Sequence, residues 1–178
     1  DKKEKMIITH FTKAHYYEPI IQSGVLTKQV NQNMFIPRFV WLTEDKISKT
    51  GLPKIFQKEG NYVGFQFNSD DIGAVKWNVQ KRKYQFNKNK RTECALLDQS
   101  AIEVFGDNPI DFWVCENEID MKHCIGTVGL SDERKKEILR DGAELTMKKI
   151  MQQFSVKELL DSATVVTEET INKVREVA

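Results

Sequence analysis

One histidine, one tryptophan and three carboxylates are the residues whose types and spacing suggest chemistry. His10 lies in "THFTK", Trp41 in "FVWLT", and Asp111, Glu116 and Glu118 in "IDFWVCENEI". A neutral imidazole donates and accepts hydrogen bonds, an indole stacks on planar rings, and a carboxylate stabilises positive charge that develops in a transition state. A lone strand histidine is also a common core residue, and "VWLT" is equally typical of a core strand. Residue type alone therefore leaves both interpretations open.

A basic segment with interleaved aromatic residues is the second candidate site. Between positions 76 and 91 there is no acidic residue, and seven residues are basic: Lys76, Lys81, Arg82, Lys83, Lys88, Lys90 and Arg91. Trp77, Tyr84 and Phe86 lie among them. Cations that follow phosphates and rings that stack on bases are typical of proteins that bind single-stranded nucleic acid. The alternative is a solvated hairpin.

Composition excludes several classes of site and partner. Among 178 residues, 27 are Lys or Arg and 26 are Asp or Glu, so the net charge of +1 gives no overall attraction to nucleic acid or acidic membranes. No apolar run is long enough to span a bilayer, and the charged start lacks a secretory signal, which predicts a cytoplasmic protein without a membrane partner. His15 and His123 have no partner at metal-ligand spacing, so we expect no metal. Glycine-rich phosphate loops are absent.

The elements that must position these residues follow from apolar periodicity. Strands are predicted at 6–11, 38–43, 61–67, 74–80, 111–116 and 123–130, and a short helix is predicted from about residue 17 to Gly24. After Leu130 the pattern becomes helical, with a possible break at Gly142 and new helices capped by Ser155 and Thr167. We therefore expect an α+β fold with a strand-rich domain at 1–130 and a helical C-terminal extension at 131–178.

The N-terminal part of the chain resembles the opening of the ADP-ribosyltransferase superfamily, in its branch of DNA-targeting toxins and RNA 2′-phosphotransferases. The resemblance lies in the order of four features: "THFTK", a short helix, "SGVL" and "VWLT". The chain is also similar to a bacterial and phage set of such domains, in which Trp77 and Trp113 would be part of the shared pattern. The similar segments are "VWLTED", "TGLP", "GFQF", "VKW" and "FWVCENEI". The resemblance covers residues 6–128 and implies a mixed, split β-sheet that binds NAD. It also implies roles for individual residues. His10 would bond the adenosine ribose, the backbone at Phe11 and Thr12 would meet the nicotinamide amide, and Trp41, followed by Thr43, would stack on the nicotinamide ring.

The catalytic acid is where the sequence departs from this pattern. The glutamate that opens the corresponding toxin strand falls on Asp111, whose side chain is one methylene shorter. Strand alternation would place Asp111 on one face with Trp113, and Glu116 on the other face. We expect the Asp111 face to line the site, because it keeps the register of the motif, and we expect slow or absent turnover. Glu116 and Glu118 remain alternatives.

The resulting expectation is an NAD-binding ADP-ribosyltransferase-like protein that modifies a nucleic acid or protein acceptor, in conflict between phage and bacterium. One alternative keeps the fold without the reaction: a catalytically inactive module that binds nucleic acid or ADP-ribosylated targets. Another is an interaction domain whose C-terminal helices dock on a protein partner. Residue types alone do not choose between them.

Overall fold

A computed structural model describes residues 6–28, 33–44, 52 and 54–162, with side chains up to residue 152. The chain divides into two compact units, Asp1–Lys135 and Lys136–Ala178. In chain order the regular elements are β1 Ile7–Lys13, α1 Tyr17–Ser23, β2 Val25–Leu26, β3 Val40–Thr43, β4 Tyr62–Asn68, β5 Val75–Lys76, α2 Trp77–Arg82, α3 Lys88–Glu103, β6 Phe112–Cys115, β7 Ile119–Asp120, β8 Gly126–Val128 and α4 Asp132–Ser162.

The strands of the first unit form two sheets. The larger has the order β5-β6-β3-β1-β4-β8, and β2 pairs with β7 in a separate two-stranded sheet. Together with the helices, these sheets confirm the α+β class. Every strand pair among the described residues is antiparallel, so the large sheet is antiparallel rather than mixed.

β1 and β4 form the longest ladder of the large sheet. They pair over seven positions, from Ile7 opposite Asn68 to Lys13 opposite Tyr62. The predicted alternation in β4 is confirmed, since Val63, Phe65 and Phe67 are completely buried. Gly64 is required on the opposite face, because a Cβ there would lie 2.7 Å from side-chain atoms of both Phe11 and Thr9. Strand alternation thus separates a dense core face from a face that carries Phe11.

Helix α1 has the predicted bounds. It begins at Tyr17, and Pro19 lies in its first turn, where no intrahelical N–H bond is lost. Gly24 ends the helix in the left-handed region, with φ of 71°, and its N–H donates to the carbonyl oxygen of Ile20. Tyr17 then stacks on Phe65 at 6.1 Å, so α1 covers the core face of the large sheet.

The predicted strand over 74–80 is wrong beyond its first residues. β5 holds only Val75 and Lys76, and the chain turns into α2 at Trp77. Trp77, Gln80 and Tyr84 are all buried, at spacings of three and four residues, which is the period of a helix. Packing of Trp77 against the sheet thus overrides the local alternation of apolar residues.

Helix α3 was not predicted. The Asn87 side chain accepts a hydrogen bond from the N–H of Lys90 at 3.0 Å and so caps the first turn. Cys94 and Ala101 are buried, and Leu97 packs against the same aromatic cluster. The last residues of the basic segment, from Lys88 onward, therefore begin a helix that leads into the core, not a strand of a hairpin.

The C-terminal extension begins as a single helix. α4 continues through Gly142 and Ser155, so the predicted break and the predicted new cap are both wrong. A lone glycine costs a helix only about 1 kcal/mol, which flanking good helix formers offset. The predicted cap at Thr167 lies outside the described residues. No helix in the described part of the chain is long and apolar enough to cross a membrane.

Candidate functional site

The first unit contains a cleft of about 640 Å³. Strands β1 and β3, helices α1 and α3 and the segment around β2 all contribute to its walls. Residues that matter for its chemistry are His10, Thr12, Trp41, Thr43, Asp98 and Phe112. The cleft therefore brings together all five residues expected to bind NAD, since Phe11 also lines it.

The cleft lies where the β1–β3 ladder stops. Both strands are fully described, and they share one register pair, Thr9 opposite Thr43. The ladder does not continue beyond that pair, either along β1 from His10 onward or along β3 before Thr43. The residues of both strands in this stretch line the cleft. Backbone polar groups need hydrogen-bond partners, and a ligand in the cleft can supply them where the ladder does not.

His10 bridges this gap with its side chain. Its Nδ1 lies 2.8 Å from the carbonyl oxygen of Trp41. Since a carbonyl oxygen only accepts, Nδ1 carries the proton. Burial lowers the pKa of His10 from the ordinary value of 6.5, and the bond to Trp41 offsets this only in part. The ring is therefore neutral near pH 7, and its Nε2 is a hydrogen-bond acceptor.

Trp41 and Phe112 form the aromatic wall of the cleft. The Trp41 ring lies 4.8 Å from that of Trp77 and 6.1 Å from that of Phe112, and both contacts are edge-on. Trp41 remains partly exposed, although its buried Nε1 has no acceptor among the described residues. Its ring is thus held by the core on one side and is available on the cleft side.

Phe11, Thr12 and Thr43 contribute in different ways. The Phe11 ring packs 5.9 Å from that of Tyr62, across Gly64, so we assign its contribution to the backbone. Thr12 follows on the half-exposed end of β1. Thr43 is buried and pairs with Phe112 across β3 and β6. Two lysines, Lys13 and Lys28, also line the cleft.

The three predicted acids do not line the cleft. Asp111 ends the 3-10 helix Pro109–Asp111 ahead of β6, and its carbonyl oxygen accepts a hydrogen bond from the N–H of Glu44. The lining residue of β6 is Phe112, so the Asp111–Trp113 face is not the one that meets the cavity. Trp113 instead donates to Glu44 Oε1 at 2.7 Å.

Glu116 and Glu118 lie beyond the end of β6. Both are exposed. Glu116 Oε1 is 3.2 Å from Gln80 Nε2, which also donates to the Tyr84 hydroxyl. Burial raises the pKa of Tyr84, so this phenol stays protonated near neutral pH. The Glu116 carboxylate thus belongs to a polar contact with α2, apart from the cleft.

Asp98 is the cleft carboxylate that sequence reasoning missed. Among the described lining residues it carries the only carboxylate. Its Oδ1 accepts from Trp77 Nε1 at 2.7 Å, and its Oδ2 accepts from Lys81 Nζ at 2.6 Å. The apolar spacing of Cys94, Leu97 and Ala101 would have predicted α3 and placed Asp98 beside the core. Its contact with Trp77 depends on tertiary packing.

The basic segment divides into held and free cations. Lys81 pairs with Asp98, Arg91 donates to the Gln85 carbonyl oxygen, and Lys76 and Lys90 lie over the rings of Trp113 and Tyr84. The three remaining cations form no ion pair within the described part of the chain. In the sequence they flank Phe86, which is 92 % exposed. We call this surface the α2–α3 corner; its residues are Arg82, Lys83, Phe86 and Lys88.

The corner differs from the prediction in its aromatic residues. Trp77 is completely buried and Tyr84 nearly so, which excludes both rings from stacking on a base. Phe86 is the one predicted stacking ring that is exposed. The sequence interleaving was thus the pattern of a helix packed on the core, followed by an exposed loop.

The remaining functional groups offer no further centre. Within the described residues no three His, Cys, Asp or Glu side chains are grouped so as to hold a metal ion. Cys94, Cys115 and Cys124 are free thiols, and burial raises the pKa of Cys115 to about 12, which makes it unreactive. Comparison with protein-family models, curated proteins and solved structures gives no match for this chain.

Proposed function

We propose that the cleft binds NAD and that the protein is ADP-ribosyltransferase-like. The observation that carries this proposal is the His10 imidazole, fixed by the Trp41 carbonyl oxygen at the end of the β1–β3 ladder. A neutral ring with a free acceptor nitrogen suits a sugar hydroxyl. The unladdered backbone beside it suits an amide such as that of nicotinamide.

The size and charge of the cleft favour the same ligand. A cavity of about 640 Å³ is in the range that holds small-molecule ligands and cofactors. Lys13 and Lys28 line it, while the Asp98 carboxylate is neutralised by Lys81. A dinucleotide that carries a pyrophosphate between two ring systems matches two cations beside an aromatic wall.

The transfer reaction itself has weaker support than the binding. Asp111, Glu116 and Glu118 lie outside the cleft lining, and a carboxylate must lie near the nicotinamide ribose to stabilise charge as the glycosidic bond breaks. We propose that turnover is slow or absent. This placement favours the second candidate function, a module that binds nucleic acid or ADP-ribosylated targets without modifying them.

The acceptor or partner is proposed to be a single-stranded nucleic acid at the α2–α3 corner. An exposed ring among three cations has the composition of a surface that stacks one base and neutralises nearby phosphates.

A protein partner on the C-terminal extension is a separate proposal, supported by exposed apolar side chains of α4 at Leu145, Met147, Ile150 and Met151. Three free thiols suit a reducing cytoplasm, in bacteria or their phages.

Binding and release of nicotinamide, measured together on the full chain, test the proposal. We expect NAD to bind, and nicotinamide release to be slow or undetectable with or without single-stranded DNA, RNA or protein. Binding without release supports the inactive module, and acceptor-dependent release supports the transferase. Failure of NAD and of ADP-ribose to bind would contradict both.

A further inference from the structure

Asp98 is a carboxylate set into the cleft by two fixed donors. Trp77 donates from its Nε1 to Oδ1. Its side chain is completely buried, so the surrounding core holds this donor in place. Lys81 donates to Oδ2, and its side chain is 27 % exposed. An ionised carboxylate accepts about four hydrogen bonds, so lone pairs remain on both oxygens. These lone pairs belong to a group that is held in place before any ligand arrives.

The position of Asp98 indicates which part of a ligand it meets. Trp77 connects the two groups, because its ring lies 4.8 Å from that of Trp41 and its Nε1 donates to Asp98. Trp41 and Asp98 both line the cleft, so a ligand whose ring stacks on Trp41 shares that cavity with the Asp98 carboxylate. The remaining lone pairs of Asp98 only accept hydrogen bonds, so they suit a hydroxyl or N–H donor of the ligand and offer nothing to an ionised phosphate oxygen.

We infer that Asp98 binds a hydroxyl or N–H donor next to the ring of the ligand, and that Trp77 and Lys81 are its positioning residues. This inference rests on the proposed NAD binding and names the carboxylate that the site uses. Lys81 acts in two ways, since it fixes the orientation of Oδ2 and neutralises the carboxylate, which lowers its cost of burial. The same neutralisation makes Asp98 a binding group more than a stabiliser of positive charge.

The test compares NAD affinities by calorimetry for five forms of the full chain: wild type, Asp98→Asn with Lys81→Met, Lys81→Met alone, Lys81→Arg, and Glu118→Gln. The double variant also removes the Lys81 ammonium group, which would otherwise lie against the amide that replaces the Asp98 carboxylate. Glu118→Gln is the matched control, because it makes the same carboxylate-to-amide change on an exposed side chain outside the cleft. Melting temperatures are measured in parallel.

We expect the double variant to bind NAD about 10- to 100-fold more weakly, as for loss of a hydrogen bond to a charged group, and Glu118→Gln to bind as wild type does. Lys81→Met should lose part of the affinity, and Lys81→Arg should restore it. A double variant with wild-type affinity would overturn the inference and leave the proposed function standing. Should the double variant not fold, unchanged affinity in Lys81→Met would overturn it instead. No binding by wild type would contradict the proposed function itself.

Discussion

The cleft and the α2–α3 corner hold their polar groups in opposite ways. In the cleft, His10 is fixed by a main-chain carbonyl oxygen and Asp98 by an indole and an ammonium group. In the corner, three cations have no ion-pair partner in the described part of the chain, and Phe86 projects into solvent. Fixed, partly buried groups suit one ligand of defined shape, whereas free cations suit a flexible polyanion.

This difference predicts separate responses to solution conditions. Attraction between exposed charges is screened by salt, whereas hydrogen bonds inside a cleft respond to the protonation of their own groups. Binding at the corner should therefore follow ionic strength, and binding in the cleft should follow pH. Corner binding that followed pH, or cleft binding that followed ionic strength, would contradict this difference between the two sites.

Charge reversal at the corner is expected to give the largest effect. Arg82, Lys83 and Lys88 changed together to Glu should weaken binding of single-stranded DNA or RNA by about 100-fold or more, because three phosphate contacts become repulsive. NAD affinity should not change. Fluorescence anisotropy over a salt series measures the loss. A matched triple at Lys54, Lys58 and Lys136 makes the same change in net charge elsewhere, and equal weakening there would show that the corner is not the site.

Removal of the exposed ring tests the stacking part of the same surface. Phe86→Ala should weaken binding of single strands by about 5- to 100-fold, the range for loss of one base–aromatic stack. The free energy of unfolding should hardly change, because the side chain contributes little to the core. Ile110→Ala, at another exposed apolar position, is the control. Unchanged affinity in Phe86→Ala would leave the corner as a purely electrostatic surface.

Protonation of His10 gives the expected pH response of the cleft. The pKa of His10 is lowered in the folded protein, so the ring stays neutral as the pH falls through 6.5, its ordinary value. NAD affinity should be level above that pH and decline only at lower pH, as Nε2 gains a proton and stops accepting. As the pH falls, His10 is protonated at a higher pH in the unfolded chain than in the folded protein. The free energy of unfolding therefore also falls below pH 6.5. His10→Gln should lose both pH dependences.

The parts of the fold that sequence predicted are those governed by local patterns. Alternation located β4 and its buried face, and Pro19 and Gly24 set the position of α1. Trp77 is a residue at which the local pattern predicts the wrong element. It continues an alternating pattern from Val75, yet begins a helix, because its ring packs against Trp41 of β3 and against Phe39, which precedes that strand.

The NAD-binding role predicted for His10 and Trp41 stays a prediction. The two residues lie on the paired strands β1 and β3, and His10 Nδ1 bonds the Trp41 carbonyl oxygen. Asp111 was placed by the register of a resembling motif, but a 3-10 helix ends at that residue and the strand starts at Phe112. Asp98 depends on a helix that was not predicted and on hydrogen bonds to residues 17 and 21 positions away. Such contacts have no local signal.

The central claim is that His10, kept neutral by burial and oriented by the Trp41 carbonyl oxygen, binds NAD in the cleft. Calorimetric titration of NAD into wild type, His10→Ala and His123→Ala tests it most directly, since His123 lies outside the cleft lining. We expect weak binding by wild type and His123→Ala. His10→Ala should lose about 1 to 3 kcal/mol of binding free energy, enough to abolish a weak signal. Equal affinity in wild type and His10→Ala would contradict it.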